Sequence, residues 1–225
     1  MTARRCAAVA ALVVGAASGC GTEPPDYQSL WTTTTTTTAP QESEPPVPIA
    51  AYLEQAGVVG TPVAPEKLTD LKVTFPTPPG WGPYVNTNLS PMTRVIAKGE
   101  TYPTAMLMVF RLNGDFDVEE AITKHGYADA ELSENFKRLN ASTDDFKGFP
   151  SAMIEGSYDL HGRRMHSYNR IVIATGAPPA NERYLVQFTV TGYAEKAAEE
   201  APDMEALIGG FDVTVPKAPP PTPPR

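Results

Sequence analysis

The three histidines are the residues best suited to acid–base or metal chemistry, and their spacing fits neither. They stand at His125, His161 and His166. No two are spaced as in HExxH with a third ligand nearby, so the sequence predicts no metal site. Ser157 lies inside a predicted strand and lacks the Gly-x-Ser-x-Gly turn that exposes a hydrolase serine. We therefore expect no catalytic residue, no metal and no cofactor.

A second group of side chains favours binding over catalysis. Several methionines fall on predicted strands, and methionine adapts to irregular shapes such as an acyl chain. One strand also carries a histidine, a tyrosine and an arginine on one face, a chemistry that suits a sugar headgroup. Core filling and an ordinary polar sheet face are the alternative explanations. The candidate ligand-binding residues are Met106, Met108, Met153, Met165, His166, Tyr168 and Arg170.

The start of the chain has the pattern of an export signal that ends in a lipid-modified cysteine. Arg4 and Arg5 precede an apolar run over residues 6–17 that is too short to span a bilayer. Residues 17–20, ASGC, resemble the lipobox of bacterial lipoproteins, except that the first position usually holds leucine. An ordinary signal peptide that happens to be cut before a cysteine is the alternative. We predict cleavage before Cys20 and acylation of its thiol.

The net negative charge of the chain argues against nucleic acid as a partner. The chain has 18 Lys plus Arg against 26 Asp plus Glu, a formal net charge of −8. Nucleic acid is not an expected partner, because phosphate binding depends on cationic side chains. An acidic surface also opposes docking on anionic lipid. Attachment to the membrane, on its extracytoplasmic face, is therefore expected through acylated Cys20.

Proline-rich ends enclose a single candidate core. A threonine run at residues 32–38 is flanked by prolines, a composition that cannot bury enough apolar surface to fold. It is expected to be an extended tether, either O-glycosylated or unmodified. We predict a signal peptide over residues 1–19, a lipid anchor and tether over 20–48, one folded domain over 49–216 and a disordered proline-rich tail over 217–225.

Within residues 49–216, alternating patterns predict more strands than helices. Residues 104–112 are apolar on both faces, which places this strand in the middle of a covered sheet. Residues 159–162 are expected to form a tight hairpin loop. Strands are predicted at 71–75, 94–98, 104–112, 138–142, 151–160, 164–174, 183–191 and 211–215, and helices at 49–56, 118–126, 129–136 and 202–208. This pattern favours an α+β fold, a largely antiparallel sheet with helices packed on its faces.

Several sequence blocks resemble the mycobacterial lipoprotein family named for LpqN and LpqT, and the mycobacterial proline-rich antigen more closely still. The most specific blocks are residues 109–117, VFRLNGDFD, and 146–158, FKGFPSAMIEGSY. The resemblance implies a Mog1/PsbP-like fold, an envelope location in an actinobacterium, and a role linked to envelope glycolipids or host-facing interaction. It implies no established catalytic residues.

These expectations converge on three hypotheses. The first is a lipid-anchored envelope lipoprotein that binds a lipid or glycolipid without catalysis. The second is a protein-interaction or assembly factor of the envelope, or a host-facing antigen. The third is an envelope ester hydrolase, which would require a serine, a histidine and an acid to converge in a cleft.

Overall fold

The computed structural model describes residues 45–85 and 88–216. The predicted signal peptide, the lipidation site at Cys20, the tether up to residue 44 and the tail over residues 217–225 lie outside the described residues.

The domain is built on a long antiparallel sheet of eight strands. Along the sheet the order is β3-β4-β5-β9-β8-β7-β6, and β1 pairs with the far half of β5. A separate two-stranded sheet pairs β10 with β2. The strands are β1 (Val59–Pro62), β2 (Lys72–Thr74), β3 (Gly82–Pro83), β4 (Arg94–Ala97), β5 (Thr104–Asn113), β6 (Lys137–Ser142), β7 (Ser151–Leu160), β8 (Arg163–Thr175), β9 (Arg183–Tyr193) and β10 (Asp212–Thr214).

Helices cover both faces of this sheet. They are α1 (Ile49–Gln55), α2 (Val118–His125), α3 (Ala128–Glu131) and α4 (Ala197–Gly210), with short 3-10 turns at Pro65–Lys67 and Ala194–Lys196. One face packs against α1 and α2 and is called the α1 face here. The other packs against α4 and the β2–β10 pair and is called the α4 face.

Strand alternation divides the apolar side chains between two cores. In β9, Tyr184, Val186, Phe188 and Val190 are fully buried on the α4 face, as their spacing predicts. Phe188 stacks on Phe211 there, with ring centroids 4.4 Å apart. On the α1 face, Ile49 and Leu53 of α1 and Ala121 and Ile122 of α2 cover Ile171, Ile173, Leu185 and Leu112. The sheet is therefore covered on both sides, with β5 in its interior as expected.

Local signals place α2 against the sheet. The Asp117 carboxylate accepts a hydrogen bond from the amide of Glu120 at 3.0 Å and so caps the N-terminus of α2. At the other end, a Cβ on Gly126 would overlap the Cβ of Ala152 in β7. Only glycine allows the helix terminus to approach the strand this closely.

Two predicted helices have the wrong extent. The helix predicted over 202–208 begins earlier, so that Pro202 lies inside α4 instead of in its first turn. Proline there removes only one backbone hydrogen bond, and the alanine- and glutamate-rich residues before it favour a helix. The helix predicted over 129–136 is only the single turn α3, and the chain then turns, with Asn135 in a left-handed conformation at a φ of 52°. The short strands β1 and β3 were not predicted.

Candidate ligand-binding groove

The strand register arranges the α1 face in cross-strand rows whose chemistry changes along the sheet. The open end of this face is the end that α1 and α2 do not cover, and tyrosine side chains flank the row of residues there. Polar side chains fill the middle rows, and apolar side chains lie beneath α1 and α2. From the open end, the rows are Tyr158, Met165 and Tyr193; Ser167, Thr191 and Thr104; Asn169, Thr189 and Met106; Ile171, Gln187 and Met108; and Ile173, Leu185 and Phe110. The α1 face is therefore graded from polar to apolar.

A depression of about 370 Å³ lies over the polar rows, and we call it the polar depression. Asn169 donates from Nδ2 to Ser167 Oγ at 3.1 Å and accepts at Oδ1 from Thr189 Oγ1 at 3.0 Å. These bonds use one of the two amide hydrogens of Asn169, so the chain of polar groups can still donate to a ligand. Met106 and Met108 also line the depression. Its lining thus combines soft apolar groups with hydrogen-bonding groups.

Asp129 stands at the wall of the polar depression, beside the start of α1. Desolvation of its carboxyl raises the pKa of Asp129, and a hydrogen bond from the Ile49 amide opposes that shift. The carboxyl therefore links the depression to the helix that covers it.

A second depression, of about 390 Å³, lies over the apolar rows, and we call it the apolar depression. Its lining includes Leu53 and Val58 together with Phe110, Leu112 and Leu185. Ala50 and Gln187 line both depressions. The two depressions therefore adjoin at these two residues, and we refer to them together as the groove. An acyl chain and a polar headgroup could occupy its two ends.

The structure separates the predicted site residues between the two faces. Met106 and Met108 line the groove, and Met165 lies on the same face but is only 1% exposed. Met153 packs against the core of the α4 face instead. The register also places His166, Tyr168 and Arg170 on the α4 face. Of the seven candidates, Met106 and Met108 therefore turn their side chains to the groove, and Arg170 borders the polar depression although its register places its side chain on the α4 face.

The polar candidates on the α4 face are engaged with one another and with their neighbours. Arg170 donates from Nε to the Tyr168 hydroxyl at 2.6 Å and from a terminal nitrogen to Ser151 Oγ at 3.1 Å. Its guanidinium also lies 4.5 Å from the centroid of the Phe146 ring. Burial raises the pKa of Tyr168. These contacts are those of a structural cluster that fixes the loop before β7.

The hydrolase hypothesis requires a serine activated by a histidine, and the geometry does not provide one. Ser157 lies opposite His166 in the β7–β8 register, and His166 Nε2 is 2.9 Å from Glu155 Oε1. The Ser157 hydroxyl, however, accepts from Arg164 at 2.7 Å. Ser167 points to the other face of the sheet. Ser157, His166 and Glu155 therefore all lie on the α4 face, away from the groove. The Ser157 oxygen is also bound by Arg164 and is not activated by the histidine.

The groove residues that the sequence analysis missed include four polar ones on central strands. Ser167 and Asn169 occupy alternate positions of β8, and Gln187 and Thr189 occupy alternate positions of β9. A run of polar residues on the inward face of a central strand was the available signal, because such groups are costly to bury without partners. Among the described residues, no group of three histidine, cysteine or acidic side chains could hold a metal ion. In the same part of the chain, the helices are too short or too polar to cross a bilayer.

The fold and the groove define an α+β domain with an amphipathic cleft between a helix layer and an antiparallel sheet. A family model described as "Probable lipoprotein LpqN" matches residues 45–214. This chain belongs to that lipoprotein family.

Two mycobacterial relatives and one solved structure agree with this assignment. LpqT of Mycobacterium tuberculosis, named as a lipoprotein, is 58% identical over 207 residues, covering 92% of this chain and 91% of LpqT. The proline-rich 28 kDa antigen of the same species is 37% identical over 172 residues, covering 75% of this chain and 54% of the antigen. The expectation that the antigen is the nearer of the two relatives is therefore wrong.

The crystal structure of LpqN from M. tuberculosis superposes with a TM-score of 0.64 at 16% identity, covering 76% of this chain and 99% of that one. Together with the sheet and helix arrangement, this likeness confirms the predicted α+β fold class, a largely antiparallel sheet with helices packed on its faces.

Proposed function

We propose that this protein is an envelope lipoprotein, acylated at Cys20 on the extracytoplasmic face of the membrane, that binds a lipid or glycolipid in the groove without altering it chemically. Membership of a lipoprotein family supports the anchor. The solved relative LpqN is described as involved in cell envelope biogenesis, which is consistent with a ligand drawn from the envelope.

The shared border of the apolar and polar depressions, at Ala50 and Gln187, is the observation that carries this proposal. Transfer of an acyl chain from water into the apolar depression would stabilise the complex by about 0.8 kcal/mol per methylene. Roughly eight methylenes would therefore contribute about 6 kcal/mol, before the cost of association is subtracted. Hydroxyl groups of a headgroup would face Asn169, Thr189 and Ser167, which already form a hydrogen-bonded series. A purely apolar ligand would leave this polar half unmatched.

The non-catalytic part of the proposal rests on the same geometry. The groove contains neither His166 nor Ser157, and the Ser157 hydroxyl is bound by Arg164. The relatives are named as lipoproteins and an antigen. Binding and presentation of the ligand therefore require no reactive group from this domain.

A protein-interaction or assembly role is the second candidate, and exposed leucines favour it. Leu139 on the edge strand β6 is 64% exposed, and Leu132 after α3 is 50% exposed. A partner strand could pair with this edge. If the interaction role is correct, Leu139→Asp should abolish recovery of a crosslinked envelope protein that the unaltered chain captures.

A matched pair of tryptophan substitutions in and beside α1 tests the binding proposal. Ala50 is exposed at the junction of the two depressions, whereas Ala56, exposed at the end of the same helix, lines neither. The full chain is incubated with an envelope lipid extract and examined by native mass spectrometry. We expect a bound lipid on the unaltered chain and on Ala56→Trp, and at least a tenfold lower occupancy on Ala50→Trp. Absence of lipid from the unaltered chain, or equal occupancy on both variants, would refute the proposal.

A further inference from the structure

Helix α1 is both the cover of the groove and the first described helix of the domain. Ala50 lines both depressions, and Leu53 and Glu54 line the apolar one. A ligand that spans the two depressions must therefore pass beneath or around α1. The position of this helix decides whether the groove is one continuous channel or two separate recesses.

A glycine follows α1 where the chain turns into the sheet. Gly57 has a φ of 77°, a left-handed conformation that favours glycine, and a Cβ at this position would meet nothing within 4 Å. The chain is fixed again two residues later, where β1 pairs with β5. Two backbone hydrogen bonds close the turn at Gly57, from the Gly57 amide to the Glu54 carbonyl and from the Val58 amide to the Leu53 carbonyl, both at 2.9 Å. A swing of α1 about Gly57 would break these two bonds and leave the pairing of β1 with β5 intact.

Besides the hydrogen bond from the Ile49 amide to the Asp129 carboxyl, several polar contacts that hold α1 in place involve a single aromatic pair. The rings of Tyr52 and His125 stack with centroids 4.4 Å apart and planes inclined by 17°. His125 Nδ1 lies 2.9 Å from the carbonyl oxygen of Val47, just before the helix. The Tyr52 hydroxyl makes longer contacts, 3.3 Å to the Asp117 carbonyl and 3.5 Å to a Glu120 carboxylate oxygen. We call the Tyr52–His125 pair the latch.

We propose that α1 is a lid that swings about Gly57 when the latch opens, joining the two depressions so that an amphiphilic ligand can enter and leave. This inference rests on the proposed binding function. The buried side chains of Ile49 and Leu53 return the lid to the closed position, because opening exposes them to water.

Binding kinetics distinguish a lid from a fixed wall. The probe is monomeric n-dodecyl-β-D-maltoside, a neutral sugar with one alkyl chain, measured by surface plasmon resonance on the immobilised full chain. For Tyr52→Ala we expect the association and dissociation rates both to rise at least fivefold, with the equilibrium constant changing less than threefold. Tyr84→Ala, a half-buried tyrosine in the β3–β4 region, should leave both rates unchanged. An increase confined to the dissociation rate would mean that α1 is a fixed part of the binding site, and it would overturn the proposal.

A ligand-free measurement separates failure of the lid from failure of the proposed function. In hydrogen exchange on the unaltered full chain, the amides of α1 should exchange faster than those of β8. Tyr52→Ala and His125→Ala should each accelerate the α1 amides at least tenfold and leave the β8 amides unchanged. If α1 and β8 amides exchange together, the lid is refuted whether or not a lipid binds. If α1 opens but the maltoside does not bind, the proposed function fails on its own.

Discussion

Glu200 is a buried carboxyl without a partner, and its replacement should change the pH dependence of stability. The side chain is 6% exposed, and Oε2 has no hydrogen-bond partner. It lies over Gly192 in β9, where any Cβ would overlap this oxygen. Desolvation is the largest cause that raises the pKa of Glu200 above its usual value; Lys196 and Lys98 lower this pKa, and Glu199 and Glu195 raise it further.

The sign of the effect follows from linkage. Because the pKa of Glu200 is higher in the folded chain than in the unfolded chain, its stabilising contribution is present below pH 4.5 and is lost as the pH rises through the folded value. Glu200→Gln keeps the shape and cannot ionise. At pH 8 it should gain about 1–3 kcal/mol, because the neutral amide avoids the desolvation cost of a buried carboxylate. A domain of this size should then melt about 2–4 °C higher per kcal/mol.

Thermal unfolding followed by circular dichroism at pH 4 and pH 8 measures this prediction. Glu205→Gln is the matched control, since Glu205 is exposed on the same helix. We expect Glu200→Gln to resemble the unaltered chain at pH 4 and to be more stable at pH 8, while the control follows the unaltered chain at both. The reasoning fails if the two glutamine variants show the same pH dependence.

Two further substitutions test how the elements around the groove are held. Gly156→Ala should lower the free energy of unfolding by about 1–3 kcal/mol, because its Cβ would overlap the Phe136 ring. Urea denaturation would contradict this if Gly82→Ala, at an open position, were equally damaging. Asp117→Ala should cost about 1 kcal/mol by removing the cap of α2. The exposed Asp115→Ala should cost less, and equal losses in thermal unfolding would argue against the cap.

Much of the fold could be predicted because the decisive signals are local. The alternation of residues 184–190, the cap at Asp117 and the hairpin after Leu160 each depend on a few neighbouring residues, and the structure has all three. The extent of α4 was missed, because Pro202 is usually a sign of a helix start.

The groove could be predicted only in part. Alternation within a strand separates its residues into two faces, but it does not show which face of the sheet each set joins. Met106 and Met153 both look inward in the sequence, and only the pairing of β5, β9, β8 and β7 places them on opposite faces. The cover of the groove also comes from α1, more than 50 residues before the strands it contacts. Sequence alternation therefore identified inward positions without assigning them to a common site.

Methionine methyl NMR tests the central claim of a ligand in the groove most directly. The methyl groups of Met106 and Met108 report on the groove, whereas Met153 and Met204 lie on the α4 face. Titration of the full chain with monomeric dodecyl maltoside should shift the first two resonances and leave the other two unchanged. Shifts at Met153 and Met204 without shifts at Met106 and Met108 would place the ligand on the wrong face and contradict the account.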